Sequence, residues 1–290
     1  MNKKNINILF NLIIFYLIFK VFFNNTLFYN SIILSLKMFI YKVFPFLFIM
    51  MILNKMLISF NFPYYLNKIF KKKEIYIMIM SMLSGSPINA IILNDYLKNK
   101  QINEKSASIT LMFTTFNNPL FLYNYFLSNF TKKDTFILMS IIYISNIIIY
   151  LIFKNKIVID NNRNKFINYN KKNELFNNIY NSLESLIKIM GIIIFFKVIT
   201  DLLFINESYF TSLLKGLIEL TTGLNSLNNF SYSLLKKIIA LTIISFASLS
   251  IHMQISIILS SYKINYKYFY LSRILLILIN IILLCLQTLM

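Results

Sequence analysis

The chain is poor in the residues that many catalytic and metal sites depend on. Its 290 residues include one cysteine, one histidine, four glycines and four prolines, and only ten carboxylates. Cys285 has no partner for an internal disulfide, and no second histidine or cysteine stands near His252 to complete a metal site. Neither an HExxH nor a GxSxG pattern is present, so we predict a protein that is not an enzyme and uses no cofactor.

What the chain has in abundance is apolar sequence. Hydrophobic residues make up 58% and the mean hydropathy is +0.66, well above the values of soluble domains. We therefore predict an all-α polytopic membrane protein that lies in a lipid bilayer. The apolar runs, each close to or above the roughly 20 residues that cross a bilayer, are residues 6–23, 32–53, 75–93, 107–127, 135–153, 182–204, 238–259 and 268–290.

The net charge of +19 does not indicate nucleic-acid binding, because the lysines lie mainly in short loops, where they set membrane orientation. If all eight runs crossed, the basic stretch 154–172 would lie opposite the cluster 68–73. A re-entrant hairpin over residues 75–97 places both on the inside, and its arms of about ten residues reach half of the bilayer. Only Lys132, Lys133, Lys236 and Lys237 then lie outside.

The two halves of the chain show the same order of features. Each reads as a helix, an interrupted hairpin, a helix with a polar centre and a final helix, and an odd number of crossings separates the copies. This predicts an inverted repeat with about seven spanning helices and two hairpins. The predicted domains are a leading transmembrane helix and loop (1–31), the first membrane repeat (32–153), a polar cytoplasmic linker (154–180) and the second repeat (181–290).

Two breaks interrupt the apolar runs of the first half. In the first, we expect Ser86 to cap the returning half-helix with Pro87 in its first position, so that free amides attract an anion. In the second, Asn117 and Asn118 precede Pro119, which frees a carbonyl and suits a polar ligand or a sodium ion. The alternatives are a proline-kinked spanning helix at the first break and simple interhelical packing at the second.

The second half carries a carboxylate and a polar stripe. Glu219 precedes a predicted break over residues 221–225, and an ionisable group at membrane depth suggests ion coupling, although pairing with a distant lysine is an alternative. One helical stripe would carry Ser245, Ser248, His252 and Ser256, where His252 could donate between helices or relay protons. The predicted substrate-binding residues are Ser84, Gly85, Ser86, Pro87, Asn89, Asn117, Asn118, Pro119, Thr222, Gly223, Ser245, Ser248, Ser250, His252 and Gln254, with Glu219 for ion coupling.

Four ordered motifs resemble those of the YlbJ-like sporulation integral membrane proteins, relatives of the nucleoside-recognition or Gate domain family. They are SGSPINA (84–90), FTTFNNPLFL (113–122), GLIELTTG (216–223) and SFASLSIHMQ (245–254). The chain departs from the family pattern at Ser86, where an aromatic residue is usual, and at Asn89 to Ile91, where Gly-Ala-Lys is usual. It also has Ala247 and Ser248 in place of Gly-Gly, from which we expect looser helix packing.

The resemblance implies a sporulation transporter that passes dipicolinic acid across the outer forespore membrane of an endospore-forming bacterium. We therefore expect a small organic anion as substrate, and a location in the bacterial cell membrane or the outer forespore membrane. A homo-oligomer or a sporulation membrane partner is compatible with the sequence. The alternatives are a non-transporting scaffold of a sporulation complex, a nucleoside-type permease and, least favoured, an intramembrane hydrolase using Ser84 or Ser86 with His252.

Overall fold

The computed structural model describes residues 3–70, 72, 74–157 and 174–289, and within these ranges the chain is helical and contains no strand. The predicted all-α class is therefore confirmed. Helices suit an apolar chain because they satisfy every backbone group within the segment. They are α1 (Lys3–Phe23), α2 (Asn25–Met38), α3 (Phe44–Ser59), α4 (Phe62–Phe70), α5 (Glu74–Ser84), α6 (Ile88–Lys98), α7 (Glu104–Thr114), α8 (Pro119–Asn129), α9 (Lys132–Phe153), α10 (Glu174–Leu203), α11 (Tyr209–Ile218), α12 (Leu220–Ser226), α13 (Leu234–Phe246), α14 (Leu249–Ile258) and α15 (Tyr266–Leu289).

Several helical stretches are long and apolar enough to cross a bilayer. By length and composition, the described residues contain four of them: Asn25–Ser59, Lys132–Lys156, Leu234–Ile258 and Tyr266–Leu289. Their number is below the predicted seven or so crossings, and one predicted crossing, residues 107–127, is divided into α7 and α8, which have 11 residues each. Large exposed apolar side chains such as Phe22 (78% exposed) suit contact with lipid.

Two long helices hold the shorter ones in place. α10 packs against α2, α3 and α14, and α15 packs against α7, α9 and α13. Among the shorter helices, α5 packs on α6, and α11 packs on α12. The predicted linker lies largely outside the described residues, and its last part belongs to α10, which begins at Glu174. Residues at the interrupted segments, such as Ser84, Asn117 and Glu219, are buried in the interior.

A π-helical turn, Phe39–Val43, joins α2 to α3 within the continuous stretch Asn25–Ser59. The amide of Phe44 donates to the carbonyl of Phe39, five residues earlier. Pro45 follows at once, and its missing N–H and bulky ring disfavour the ordinary α-helical bond to the carbonyl of Tyr41. A wider turn just before the proline relieves that conflict, and such turns are frequent at functional sites.

Candidate functional site

The break between α5 and α6 lies directly against the break between α7 and α8. The amide of Ser86 donates to the carbonyl of Phe116 at 2.6 Å. A Cβ placed on Gly85 would lie 2.5 Å from the backbone nitrogen of Asn118. Gly85 also has a φ of +80°, in the left-handed region. The crossing of the two breaks therefore requires glycine at this position for two independent reasons.

The expected cap at the first break is not formed. Pro87 lies in the turn, with φ −96° and ψ 25°, and α6 begins one residue later without a side-chain cap. Because of this shift, the Ser86 hydroxyl lies 3.4 Å from the Asn89 side-chain oxygen instead of on a helix amide. Asn89 is fully buried and donates to the Thr115 hydroxyl at 3.0 Å. These contacts tie the first break to the second.

The second break has a cap of its own. The side-chain oxygen of Asn118 accepts hydrogen bonds from the amides of Leu120 at 2.8 Å and Phe121 at 3.2 Å. Pro119 stands in the first turn of α8, where its missing N–H is not needed. The Asn117 side chain donates to the carbonyl of Ile244 at 3.2 Å. The second break is thereby attached to the end of α13, in the other half of the chain.

The break in the second half falls at Glu219, earlier than the predicted residues 221–225. Glu219 is extended, with φ −137° and ψ 120°, and caps α12. Its Oε2 accepts from the Thr222 amide at 2.7 Å and from the hydroxyls of Thr221 and Thr222 at 2.6 and 2.8 Å. The negative charge thus sits on the positive end of α12. The residues predicted to form the break instead belong to the helix that Glu219 starts.

Two glycines bring α11 and α12 together. A Cβ on Gly223 would lie 2.1 Å from the Cα of Gly216. A Cβ on Gly216 would in turn lie 2.4 Å from the side chain of Ile243 in α13. The helices touch through bare backbone here, as small residues allow in membrane proteins. Gly223 therefore serves helix packing.

The predicted polar stripe on one continuous helix is wrong, because the chain turns between α13 and α14. Ala247 and Ser248 have φ of 59° and 26°, in the left-handed region that glycine adopts most easily. The Gly-Gly of the family pattern thus suits this backbone turn. The replacement by Ala247 and Ser248 therefore bears on the turn more than on helix packing. His252 reaches back over the turn, and its Nε2 donates to the Phe246 carbonyl at 2.8 Å.

Seven predicted site residues line one cavity of about 180 Å³. This volume is far above the 10–15 Å³ or so that one water needs. Both halves contribute polar groups, and the apolar part of the wall includes Leu47, Phe121 and Ile189. Such a mixture suits a small ligand with polar and apolar parts. The predicted residues at the cavity are Ser86, Pro87, Asn117, Asn118, Glu219, Ser250 and Gln254.

The other predicted residues lie behind the cavity wall. Ser84 is fully buried, with no partner for its hydroxyl among the described residues. Ser245 donates to Leu241 and accepts from Asn280 at 2.6 Å each, and Ser248 caps α14. These groups build the breaks and do not reach the ligand space. The complete set away from the wall is Ser84, Gly85, Asn89, Pro119, Thr222, Gly223, Ser245, Ser248 and His252.

Sequence reasoning missed two cations. Lys42, on the π-helical turn, lines the cavity together with Thr221 and Asn225. Arg273 is 2% exposed, and its guanidinium donates to the carbonyl of Met112 at 2.8 Å and of Thr115 at 3.4 Å. A positive charge at the carboxyl end of α7 is favourable. Both cations stand inside apolar runs, which by itself marks an ionisable residue as a functional candidate.

Two ion pairs form between residues four apart within α10. Lys197 lies 3.0 Å from Asp201, and Lys188 lies 2.7 Å from Glu184. Asp201 also accepts from the Ser31 hydroxyl at 2.6 Å, which ties α10 to α2. These charges have structural partners and lie outside the cavity wall.

Comparison with known proteins gives one informative relative. The chain is 25% identical to the sporulation integral membrane protein YlbJ of Bacillus subtilis (strain 168), over an alignment of 288 residues. The alignment covers 80% of this chain and 71% of the relative. No family model matches the chain, and no solved structure matches it. Together with the four ordered motifs and the apolar helices, this similarity supports assignment of the chain to the YlbJ-like sporulation integral membrane proteins, and the protein is an integral membrane protein.

Proposed function

We propose that the protein is a secondary transporter that passes a small organic anion, with dipicolinic acid as the proposed substrate, across the outer forespore membrane during sporulation. The observation that carries the proposal is the cavity, which residues from all four motifs line together. Interrupted segments around a central site are typical of transporters. The relative's name supports the sporulation role. The substrate rests on the family resemblance.

The proposed topology is an inverted repeat with about seven crossings and two re-entrant hairpins. The two halves make corresponding contacts. In the first half α5 packs against α6, α7 and α8, and in the second half α11 packs against α12, α13 and α14. The contacts of α7 with α9 and of α13 with α15 also correspond. Equal pairings in both halves support a repeated unit. Alternating access would then move one hairpin-containing bundle against the other.

Contacts near the helix ends bear on which segments lie on the inner side of the membrane. The amide of Lys263 donates to Glu104 at 2.9 Å, and the amide of Asn265 donates to Ser108 at 2.9 Å. Lys72 lies over the ring of Tyr150, with 5.7 Å between the ammonium and the ring centroid. The first two contacts fit either topology, whereas Lys72 and the Tyr150 end of α9 would lie on opposite sides if all eight runs crossed. This supports the re-entrant reading of α5 and α6.

The geometry changes how an anion would be held. The amino end of α12 already carries the Glu219 carboxylate, so it is not open to a carboxylate of the substrate. The amino end of α6 has no side-chain cap and lies beside the cavity through Ser86 and Pro87. We therefore place the substrate near α6 and assign Glu219 to fixing the break between α11 and α12 and to ion coupling.

Replacing Glu219 with glutamine tests the transport proposal. We expect at least a tenfold loss of dipicolinate uptake into liposomes, because an amide keeps the shape but loses the charge-assisted bonds that start α12. The variant Glu184→Gln, on an exposed pair, should transport as the wild type does. Folded wild-type protein that shows no uptake, alone and with candidate partners, would contradict the transporter and favour the scaffold. Uptake of a labelled nucleoside that excess dipicolinate does not inhibit would favour the permease.

A further inference from the structure

Lys42 lies at the middle of the long helical stretch Asn25–Ser59, on the π-helical turn. The extra residue of such a turn changes the direction of the side chains that follow it. Lys42 lines the cavity together with Met38, Val43 and Leu47, which come from the same stretch. A lysine at the centre of an apolar helix cannot easily reach either membrane surface, so its charge must be compensated within the protein or by a ligand.

No partner for the Lys42 ammonium exists among the residues that the structure describes, either as a hydrogen bond or as an ion pair. Two other lysines in apolar helices differ in this respect. Lys197 lies 3.0 Å from Asp201, and Lys237 lies 2.6 Å from Asp134. Lys42 is an exposed residue that lines the cavity, and its ammonium has no counter-ion among the described residues.

The carboxylate in the cavity wall does not fill this role. One oxygen of Glu219 already accepts three hydrogen bonds from Thr221 and Thr222. Its charge is further balanced by the amino end of α12. The remaining polar wall is formed by neutral amides and hydroxyls such as Asn225, Ser250 and Gln254. The cavity wall thus carries one lysine without an ion-pair partner among the described residues, beside a hydrogen-bonded carboxylate and neutral amides and hydroxyls.

We infer that Lys42 binds a carboxylate of the transported molecule and makes the site selective for anions. The cavity then takes a small carboxylate whose body packs on Leu47, Phe121 and Ile193, while wall amides bind its remaining polar atoms. An ammonium beside a carboxylate in a site of low polarity forms a strong, charge-assisted hydrogen bond. This inference rests on the proposed transport function and adds the residue that recognises the substrate.

The test compares Lys42→Met, Lys42→Arg and the control Lys37→Met in liposomes. Lys37, on α2, is exposed as Lys42 is, but it does not line the cavity. The probes are dipicolinate and its neutral diamide, pyridine-2,6-dicarboxamide, which has the same flat body. Methionine matches lysine in length and suits an apolar helix, so folding is not expected to suffer. Uptake gives KM, and thermal stabilisation of purified protein by each probe gives binding without transport.

We expect Lys42→Met to raise the KM for dipicolinate at least tenfold and to abolish its thermal stabilisation. Lys42→Arg should keep most of the affinity for dipicolinate and most of the thermal stabilisation, and Lys37→Met should match the wild type. In Lys42→Met, dipicolinate should no longer be preferred over the neutral diamide. Wild-type uptake with an unchanged KM in Lys42→Met would overturn the role of Lys42 and leave the transporter standing. Absence of uptake and of stabilisation in folded wild type would overturn the transport function itself.

Discussion

Replacing Gly85 with alanine is expected to open the crossing of the first two breaks and to abolish transport. The new Cβ would lie 2.5 Å from the backbone nitrogen and 2.8 Å from the Cα of Asn118. Backbone atoms cannot step aside as a flexible side chain can. A left-handed φ of +80° adds strain of about 1–2 kcal/mol for a residue with a Cβ. With overpacking of about 1–3 kcal/mol, the free energy of unfolding should fall by about 2–5 kcal/mol.

Thermal unfolding of the purified protein in detergent measures this effect, with dipicolinate uptake as the functional readout. Gly191→Ala is the matched control, because nothing lies within 4 Å of a Cβ at that position in α10. It should unfold at the wild-type temperature or slightly above it, since alanine favours a helix more than glycine does. A Gly85→Ala protein as stable and active as Gly191→Ala would show that the two breaks do not cross as described.

Replacing Asp134 with asparagine is expected to destabilise the contact between the two halves. Asp134 in α9 lies 2.6 Å from Lys237 in α13, and the two side chains are only 12% and 9% exposed. Asp134 also accepts from the hydroxyls of Tyr232 and Thr131 at 2.8 Å each. Asparagine would leave the Lys237 ammonium buried without its carboxylate. Loss of one partner from a buried pair costs about 3–5 kcal/mol.

Two comparisons separate this pair from an ordinary surface pair. Lys237→Met should be milder than Asp134→Asn, because Asp134 keeps its two hydroxyl donors. The double variant should be more stable than Asp134→Asn alone, since it contains no unpaired ammonium. Glu184→Gln, in a pair whose side chains are 53% and 56% exposed, should show no measurable change. Equal melting temperatures for Asp134→Asn and Glu184→Gln would contradict the buried contact.

The breaks that contain proline and glycine could be predicted from the sequence. Pro87, Pro119 and Gly85 act on the backbone of their immediate neighbours, and both breaks occur where these residues stand. The alternation of apolar runs with lysine-rich loops likewise predicts helices and membrane insertion. These signals are local, so a single sequence is enough to read them.

The remaining features depend on contacts between distant segments. The turn at Ala247 and Ser248 contains neither glycine nor proline. The position of the break at Glu219 is set by the hydrogen bonds with which this side chain caps α12. Arg273 interacts with carbonyls more than 150 positions away in the chain. Lys42 reaches the cavity through a π-helical turn. Periodicity along one segment carries no information on such pairings, although the position of both cations inside apolar runs marks them as functional candidates.

Accessibility labelling tests the re-entrant hairpin most directly. Cys285 is the only cysteine of the chain, so Cys285→Ala provides a background for single cysteines at Lys68, Lys100 and Lys132. With a membrane-impermeant maleimide, the account predicts labelling of positions 68 and 100 from the same face and of position 132 from the opposite face. Labelling of positions 68 and 100 from opposite faces would contradict it, because α5 and α6 would then form an ordinary crossing.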